Sequence, residues 1–250
     1  MVMYLIVDLC GNKVAINVVG EVRNDLLELC LKALKEILCR CCKDLFLELM
    51  IYGSRNEKLA FLEEEARDLG VLVIGDFKTL HEAWRGFPRI HVSQEDVQDL
   101  DRDVLEALVA HEAMHAYLHG SIASYVIYIP NYLLEKFEDP SEAFVLAYII
   151  AAAIKDLEVH RAMLSMDLRR YLLLYASFCA SQLSDSSCGD SSSLAEIANS
   201  MKLLTPFYVL NIEPPKCSWL MKTKSFKELV KADLDSVHKV IEVLLEEFAI

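Results

Sequence analysis

The chain has 250 residues, 54% of them hydrophobic, with only 8 glycines and 6 prolines, a composition that excludes disordered and fibrous classes and suits an ordered, helix-rich protein with a substantial core. Its 38 acidic residues against 25 basic ones give a formal charge of −13, which repels phosphate backbones; without a basic patch or zinc-finger spacing, no nucleic-acid partner is expected. The opening MVMYLIVDLCGNK lacks the basic start and small-residue cleavage site of a signal peptide, and the longest apolar run, residues 143–154, is too short to span a bilayer, so the expectation is a cytoplasmic protein without a transmembrane segment.

Two β-rich runs, residues 3–9 and 14–20, flank GNK and read as a hairpin. Asn24 and Asp25 lead into leucines at helical spacing, LFLELMIY at 45–52 reads as a strand, and Asn56 is placed to cap a helix over 57–68 that ends at Gly70. VLVIG at 71–75 has the wholly apolar character of a buried strand. TLHEAWRG at 79–86 reads as a short helix, and PRIHVS at 88–93 as a strand whose leading Pro88 suits a sheet edge. Asp103 and Glu106 have the spacing of a capping box at the start of the next helix.

DPSE at 139–142 supplies an Asp cap, a first-turn proline and a glutamate for a long helical pattern running to about 178, with room for one break. SDSSCGDSSS at 184–193 reads as an exposed loop. A short helix near 195–203 and an extended stretch around FYVLNI follow. Ser225 and Glu228 open the last segment, in which Phe226, Leu229, Val230, Val237, Ile241, Leu244 and Phe248 form one apolar stripe.

Eight cysteines lie at 10, 30, 39, 41, 42, 179, 188 and 217. Their density is below that of a disulfide scaffold, Cys10 and Cys30 sit in apolar patterns where a thiol acts as a small hydrophobe, and CRCC at 39–42 lacks the second half of a finger. The cysteines are therefore expected to pack as thiols, cytoplasmic pairing being a habit of hyperthermophiles.

The chemistry is concentrated in HEAMH, residues 111–115. Residues four apart share a helix face, so His111 and His115 can direct both imidazoles at one ion, and Glu112, turned by about 100°, can act on a water there without joining the ligands. Between Leu108 and Leu118 the one charged residue is Glu112, so the helix reads as buried on most sides, where a carboxylate needs a cation or hydrogen-bond donors. The bland reading is a pair of hydrogen-bonded core histidines. A catalytic zinc site takes three protein ligands. His119, about 12 Å along the axis from His111, is expected in the outer shell; Glu158 on the second long helix extends the face of Ala151 and Ile154 and is the favoured third ligand over His160, with a surface ion pair to Lys155 or Arg161 as its bland alternative.

HEAMH with a downstream glutamate resembles the active-site pattern of zincin metallopeptidases, in particular the minimal gluzincins, over residues 45–180. The resemblance implies His111, His115 and Glu158 as zinc ligands, Glu112 as catalytic base, and Asp156, His160, Arg161 and His119 as supporting or alternative groups. It also implies an edge strand, Arg89, Ile90, His91 and Val92, holding an extended peptide. Leu118 and Ser121 depart from the metzincin extension of the motif, and Ala162 stands where gluzincins often carry a second acidic residue. The oxyanion donor is left among Tyr171, Tyr175, Tyr208 and His238.

The implied fold is α+β: a small mixed sheet against the active-site helix and a long second helix, over 1–183, a Ser-rich loop at 184–194, and a mainly helical extension at 195–250 packing on the core. The implied activity is zinc-dependent hydrolysis of a peptide or small protein substrate. Alternatives are a metal-dependent hydrolase acting on another bond, and a zincin-fold binding or scaffold protein with little turnover. The C-terminal helix is the candidate surface for a homodimer or a partner protein.

Overall fold

The computed structural model describes residues 2–41, 44–71, 77–189 and 192–248. The chain forms two compact units, Met1–Tyr125 and Val126–Ile250, and the class is α+β, among the described residues a five-stranded mixed sheet followed by a mainly helical region.

The first unit runs β1 (Val2–Leu9), β2 (Asn12–Val19), α1 (Asn24–Cys41), β3 (Phe46–Tyr52), α2 (Arg55–Leu69), β4 (Thr79–Glu82), β5 (Arg89–Ser93), α3 (Gln94–Val97) and α4 (Arg102–His119). β1 and β2 form the expected hairpin, with its turn at Cys10 and Gly11, both at positive φ (58° and 87°); that pair of left-handed residues is what a tight two-residue hairpin turn requires. The sheet order is β1-β2-β3-β5-β4, with β2, β3 and β5 parallel and the outer pairs antiparallel. Parallel neighbours need a crossover, which α1 supplies between β2 and β3 and α2 between β3 and β5. Ser54, two residues earlier than the expected Asn56, caps α2 in a capping box with Glu57, and Gly70 closes it in the left-handed conformation.

Two expectations are corrected here. TLHE is a strand, because β4 pairs antiparallel with β5 from Thr79↔Val92 to Glu82↔Arg89; pairing overrides the local preference. β5 is an interior strand, paired to β3 on one side and β4 on the other. Pro88 precedes β5 and offers its carbonyl to the Glu48 N–H at 3.0 Å, so its missing donor costs the sheet nothing. Among the described residues the outermost strand on that side is β4. VLVIG lies outside the described residues from Leu72 onward.

Side chains alternate across the sheet. Val14, Ile16, Leu49, Ile51, Ile90 and Val92, all fully buried, share one face with Thr79 and His81, and α4 packs beside β4, β5 and α1. The opposite face carries Glu82, Arg89 and His91 towards α2. Asp103 and Glu106 do not form the expected capping box: the N-cap is Asp101, and Glu106 is buried and bonded to Lys32 of α1 at 2.8 Å.

The second unit comprises α5 (Asn131–Leu134), α6 (Pro140–Ser165), α7 (Arg169–Gln182), α8 (Leu194–Leu210), α9 (Lys224–Leu229) and α10 (Val237–Phe248). Asp139 caps α6 as expected, accepting from the Ser141 N–H at 2.9 Å, with Pro140 in the first turn. The long pattern breaks at Asp167, φ 60°. α8 continues through FYVL despite Pro206; the Lys202 carbonyl, four residues before the proline and so deprived of its helical donor, accepts instead from the Thr205 hydroxyl at 2.7 Å. The last segment is two helices, with Thr223 as the cap of α9. Ser225, expected to cap, is buried and bonded to Glu247. Val237, Ile241 and Leu244 are fully buried in the unit's own core, with α10 against α9 and α6. Among the described residues, no helix is long and apolar enough to cross a membrane.

The cysteines correct a further expectation. Cys10, exposed at the hairpin turn, is bonded to Cys39 near the end of α1, and Cys188 of the Ser-rich stretch to Cys217, each bridge spanning 29 residues of sequence. Cys30 and Cys179 are buried thiols; burial pushes both up, Cys30 to about 12. Each bridge closes a loop that the chain-entropy model values at roughly 3–4 kcal/mol. Cys10→Ser and Cys217→Ser are each expected to lower the free energy of urea unfolding by about that amount, and reducing agent should produce the two losses together in the wild-type chain and no additional loss in the double variant.

Candidate metal centre

α4 is buried along most of its length, from Leu105 through Ala116. Besides Glu106, the polar side chains His111, Glu112, His115 and His119 are buried within it, so each must find its partners inside the protein. His111 and His115, one turn apart, approach through Nε2 at 3.0 Å, their ring planes at 78°. His115 turns its other nitrogen, Nδ1, to His119 Nδ1 at 3.1 Å. If Nε2 of His115 is the ligand atom, Nδ1 carries the proton and donates to His119, the arrangement by which an outer group fixes a ligand imidazole's tautomer and plane.

β4 supplies the other contacts. Thr79 Oγ1 donates to Glu112 Oε1 at 2.8 Å in a buried hydrogen bond. His81, on the same strand face, lies parallel to the His115 ring with centroids 5.8 Å apart and planes at 10°, and the Tyr125 hydroxyl meets His81 Nδ1 at 2.9 Å. Thr79, His81 and Tyr125 are site neighbours that sequence reasoning missed. The signal was the alternation of Thr79 and His81, obscured once the stretch was read as helical.

In the second unit, α6 presents Asp156 and His160 on its buried side, one turn apart, while Glu158 is exposed. α8 packs along α6; its Lys202 Nζ lies 3.8 Å from Asp156 Oδ2. His160 packs against the Tyr175 ring at 5.2 Å, Tyr208 packs on Phe226, and Arg161 is exposed and donates to the Val230 carbonyl at 2.9 Å. His111 and His115 in the first unit and Asp156 in the second are buried side chains of the kinds that serve as metal ligands. The donor chemistry fits: with zinc–nitrogen bonds of about 2.0–2.1 Å, two tetrahedral nitrogen ligands stand roughly 3.3 Å apart, close to the separation of the two Nε2 atoms.

Arg89 and His91, expected on a substrate-binding edge, lie instead on the sheet face opposite the one carrying Thr79 and His81, and both are buried. Arg89 bonds Glu82 and, at 2.7 Å, Glu65. His91 bridges Glu82 Oε1 and the Tyr52 hydroxyl, each at 3.0 Å. Burial pushes His91 below the ordinary histidine value against the opposing pull of Glu82, and pushes the Tyr52 hydroxyl up. Burial alone would raise Glu82, yet the bonded His91 and nearby Arg89 carry it below its usual value. The Arg85 guanidinium, with two bonds of 2.7 Å, holds the Glu65 carboxyl at about 2, assisted by Arg89. These charges satisfy one another and are structural. Ile90 and Val92 belong to the core.

Compared with protein families, curated proteins and solved structures, the chain matches none.

Two outcomes follow from these contacts. If the pair of imidazoles binds a metal, His119→Ala removes the acceptor of His115 Nδ1 and should weaken that binding, measured with zinc by competition with a chromophoric chelator, by about 10- to 100-fold while the chain stays folded. Glu65 has a depressed folded-state pKa, so its contribution to stability is complete above its ordinary 4.5 and is lost as pH falls towards about 2. Urea unfolding should show roughly 3 kcal/mol of that loss, at 1.36 kcal/mol per pKa unit, and Glu65→Gln should remove this part of the pH dependence.

Proposed function

We propose that this protein is a zinc-dependent metallohydrolase, acting most naturally on peptide bonds, with His111, His115 and Asp156 as ligands and Glu112 as the general base. The observation that carries the reading is the pair of His111 and His115 Nε2 atoms at 3.0 Å in a buried helix, beside a buried carboxylate that already has an orienting donor. A purely structural zinc site has no use for such a base. Asp156 is chosen over Glu158 because burial favours it: a carboxylate on the covered side of α6 gains from a cation, whereas the exposed Glu158 is served by water.

A bound zinc ion would supply Lewis acidity and a water of lowered pKa. Glu112 takes a proton from the attacking water and returns it to the leaving nitrogen as the carbon–nitrogen bond breaks. His119 keeps His115 in the tautomer that presents Nε2. The zincin pattern in HEAMH supports a peptide substrate over other acyl compounds. Two disulfides favour an oxidising compartment, or a hyperthermophile's interior, over an ordinary cytoplasm.

The test is elemental mass spectrometry on purified protein after zinc reconstitution, with turnover of a fluorescence-quenched peptide library measured on the same samples. About one zinc per chain is expected, lost in Asp156→Ala and kept in Glu158→Ala and His160→Ala. Glu112→Gln should keep its zinc and lose turnover by about 10²- to 10⁴-fold. Retention of zinc in His111→Ala with His115→Ala, or no zinc in the wild-type chain, would reduce the motif to a hydrogen-bonded histidine row, His111 to His115 to His119.

A further inference from the structure

We propose that strand β4 presets the general base, with Thr79 as its positioning residue; this rests on the reading of Glu112 as the base. A glutamate side chain has three rotatable bonds, and ordering such a chain costs up to about 2 kcal/mol. A base that must meet a water in one geometry gains if that ordering is already complete in the resting protein. Thr79 supplies the means: its hydroxyl donates to Glu112 Oε1 at 2.8 Å, inside the protein, where a hydrogen bond to a carboxylate is short and strong.

Three features make Thr79 a fixed support. Its backbone is locked by pairing with Val92 of β5. Its branched β-carbon restricts the first side-chain torsion, so the strand decides where the hydroxyl points. The residue is itself buried, which limits water as a rival donor to Oε1. The two oxygens of Glu112 thereby take different jobs: Oε1 is the anchored one, and Oε2 is the oxygen we assign to proton exchange with the attacking water. The same strand face carries His81, two residues on and stacked on His115, so a single register of β4 serves both the base and a ligand. Slipping β4 by one residue would turn Thr79 and His81 to the opposite sheet face and lose both contacts.

Thr79→Val keeps the shape and removes the donor, whereas Thr79→Ser keeps the donor. The first measurement uses metal-free protein labelled with carbon-13 at the glutamate carboxyl, the Glu112 resonance being assigned by its absence in Glu112→Gln. That resonance should move in Thr79→Val and return to its wild-type position in Thr79→Ser. Zinc affinity by chelator competition should stay within about twofold in both variants, because the hydroxyl of Thr79 is bonded to the base and Glu112 is not a ligand in this reading. With the peptide library, kcat should fall by about 10- to 100-fold in Thr79→Val at unchanged KM, and recover in Thr79→Ser. An unmoved Glu112 resonance in Thr79→Val overturns the proposal, as does a failure of Thr79→Ser to restore it. A loss of zinc affinity in Thr79→Val equal to its loss of turnover also overturns it, since that marks a general structural role. If the wild-type, zinc-loaded chain cleaves no peptide, the hydrolase reading fails by itself, and the carboxyl resonance alone decides whether Thr79 holds Glu112.

Discussion

Helix α4 buries Glu112 and three histidines, and the cost of burying those groups shapes the first unit. An unsatisfied buried polar group costs on the order of 1–3 kcal/mol, and an isolated charge much more. The helix meets this partly within itself, through the row His111, His115 and His119, and partly through β4, whose Thr79 donates to Glu112 and whose His81 lies on His115. The short strand beside the helix is therefore as much a part of the centre as the motif, because it supplies the donor that the helix cannot.

The sheet separates two kinds of polar chemistry by its pleat. On the face towards α4 the polar groups are few and directed at one place. On the face towards α2 a set of buried charges, Arg89 with Glu82 and Glu65 and His91 with Tyr52, closes on itself. Burial and paired charge shift proton affinities in both structural and catalytic sites, so the shifted groups of this second set carry no functional message of their own. What separates the two faces is geometry: one ends in opposed imidazole nitrogens beside a carboxylate, the other in complete ion pairs.

Each unit is stabilised by its own apolar core and its own disulfide. In the second unit Phe226, Leu229, Val237, Ile241 and Leu244 join the core around α6 and α8, and the Cys188–Cys217 bridge ties the Ser-rich stretch to the segment before α9. A stretch that composition marks as a loose loop is thus secured covalently. Serine-rich sequence argues for solvation of its side chains, and a distant cysteine can still fix the backbone.

Local rules made a good part of this protein legible. Asp139 with Pro140 and the hairpin around Gly11 are short-range devices whose energy lies within a few residues, and the helix carrying HEAMH was located to within about two residues, the usual uncertainty of a helix end. The i, i+4 spacing of His111 and His115 made their shared direction a property of the helix itself. Other features depended on what packs against what. Glu106 left its expected capping role because Lys32 of α1 offered an ion pair, TLHE became a strand because β5 offered it a ladder, and Arg89 and His91 face α2 because the register of β5 in the sheet turns that side of its pleat there. Asp156 is buried while Glu158 is exposed because neighbouring helices cover one side of α6, and helical spacing alone does not say which side that is. The sequence by itself determined the chemical groups, their helical phase and the caps, all set by forces acting within a turn or two. Tertiary structure alone decided which of those groups are buried, which cysteines pair and which strand stands beside the motif, because those outcomes follow from contacts between segments far apart in the chain.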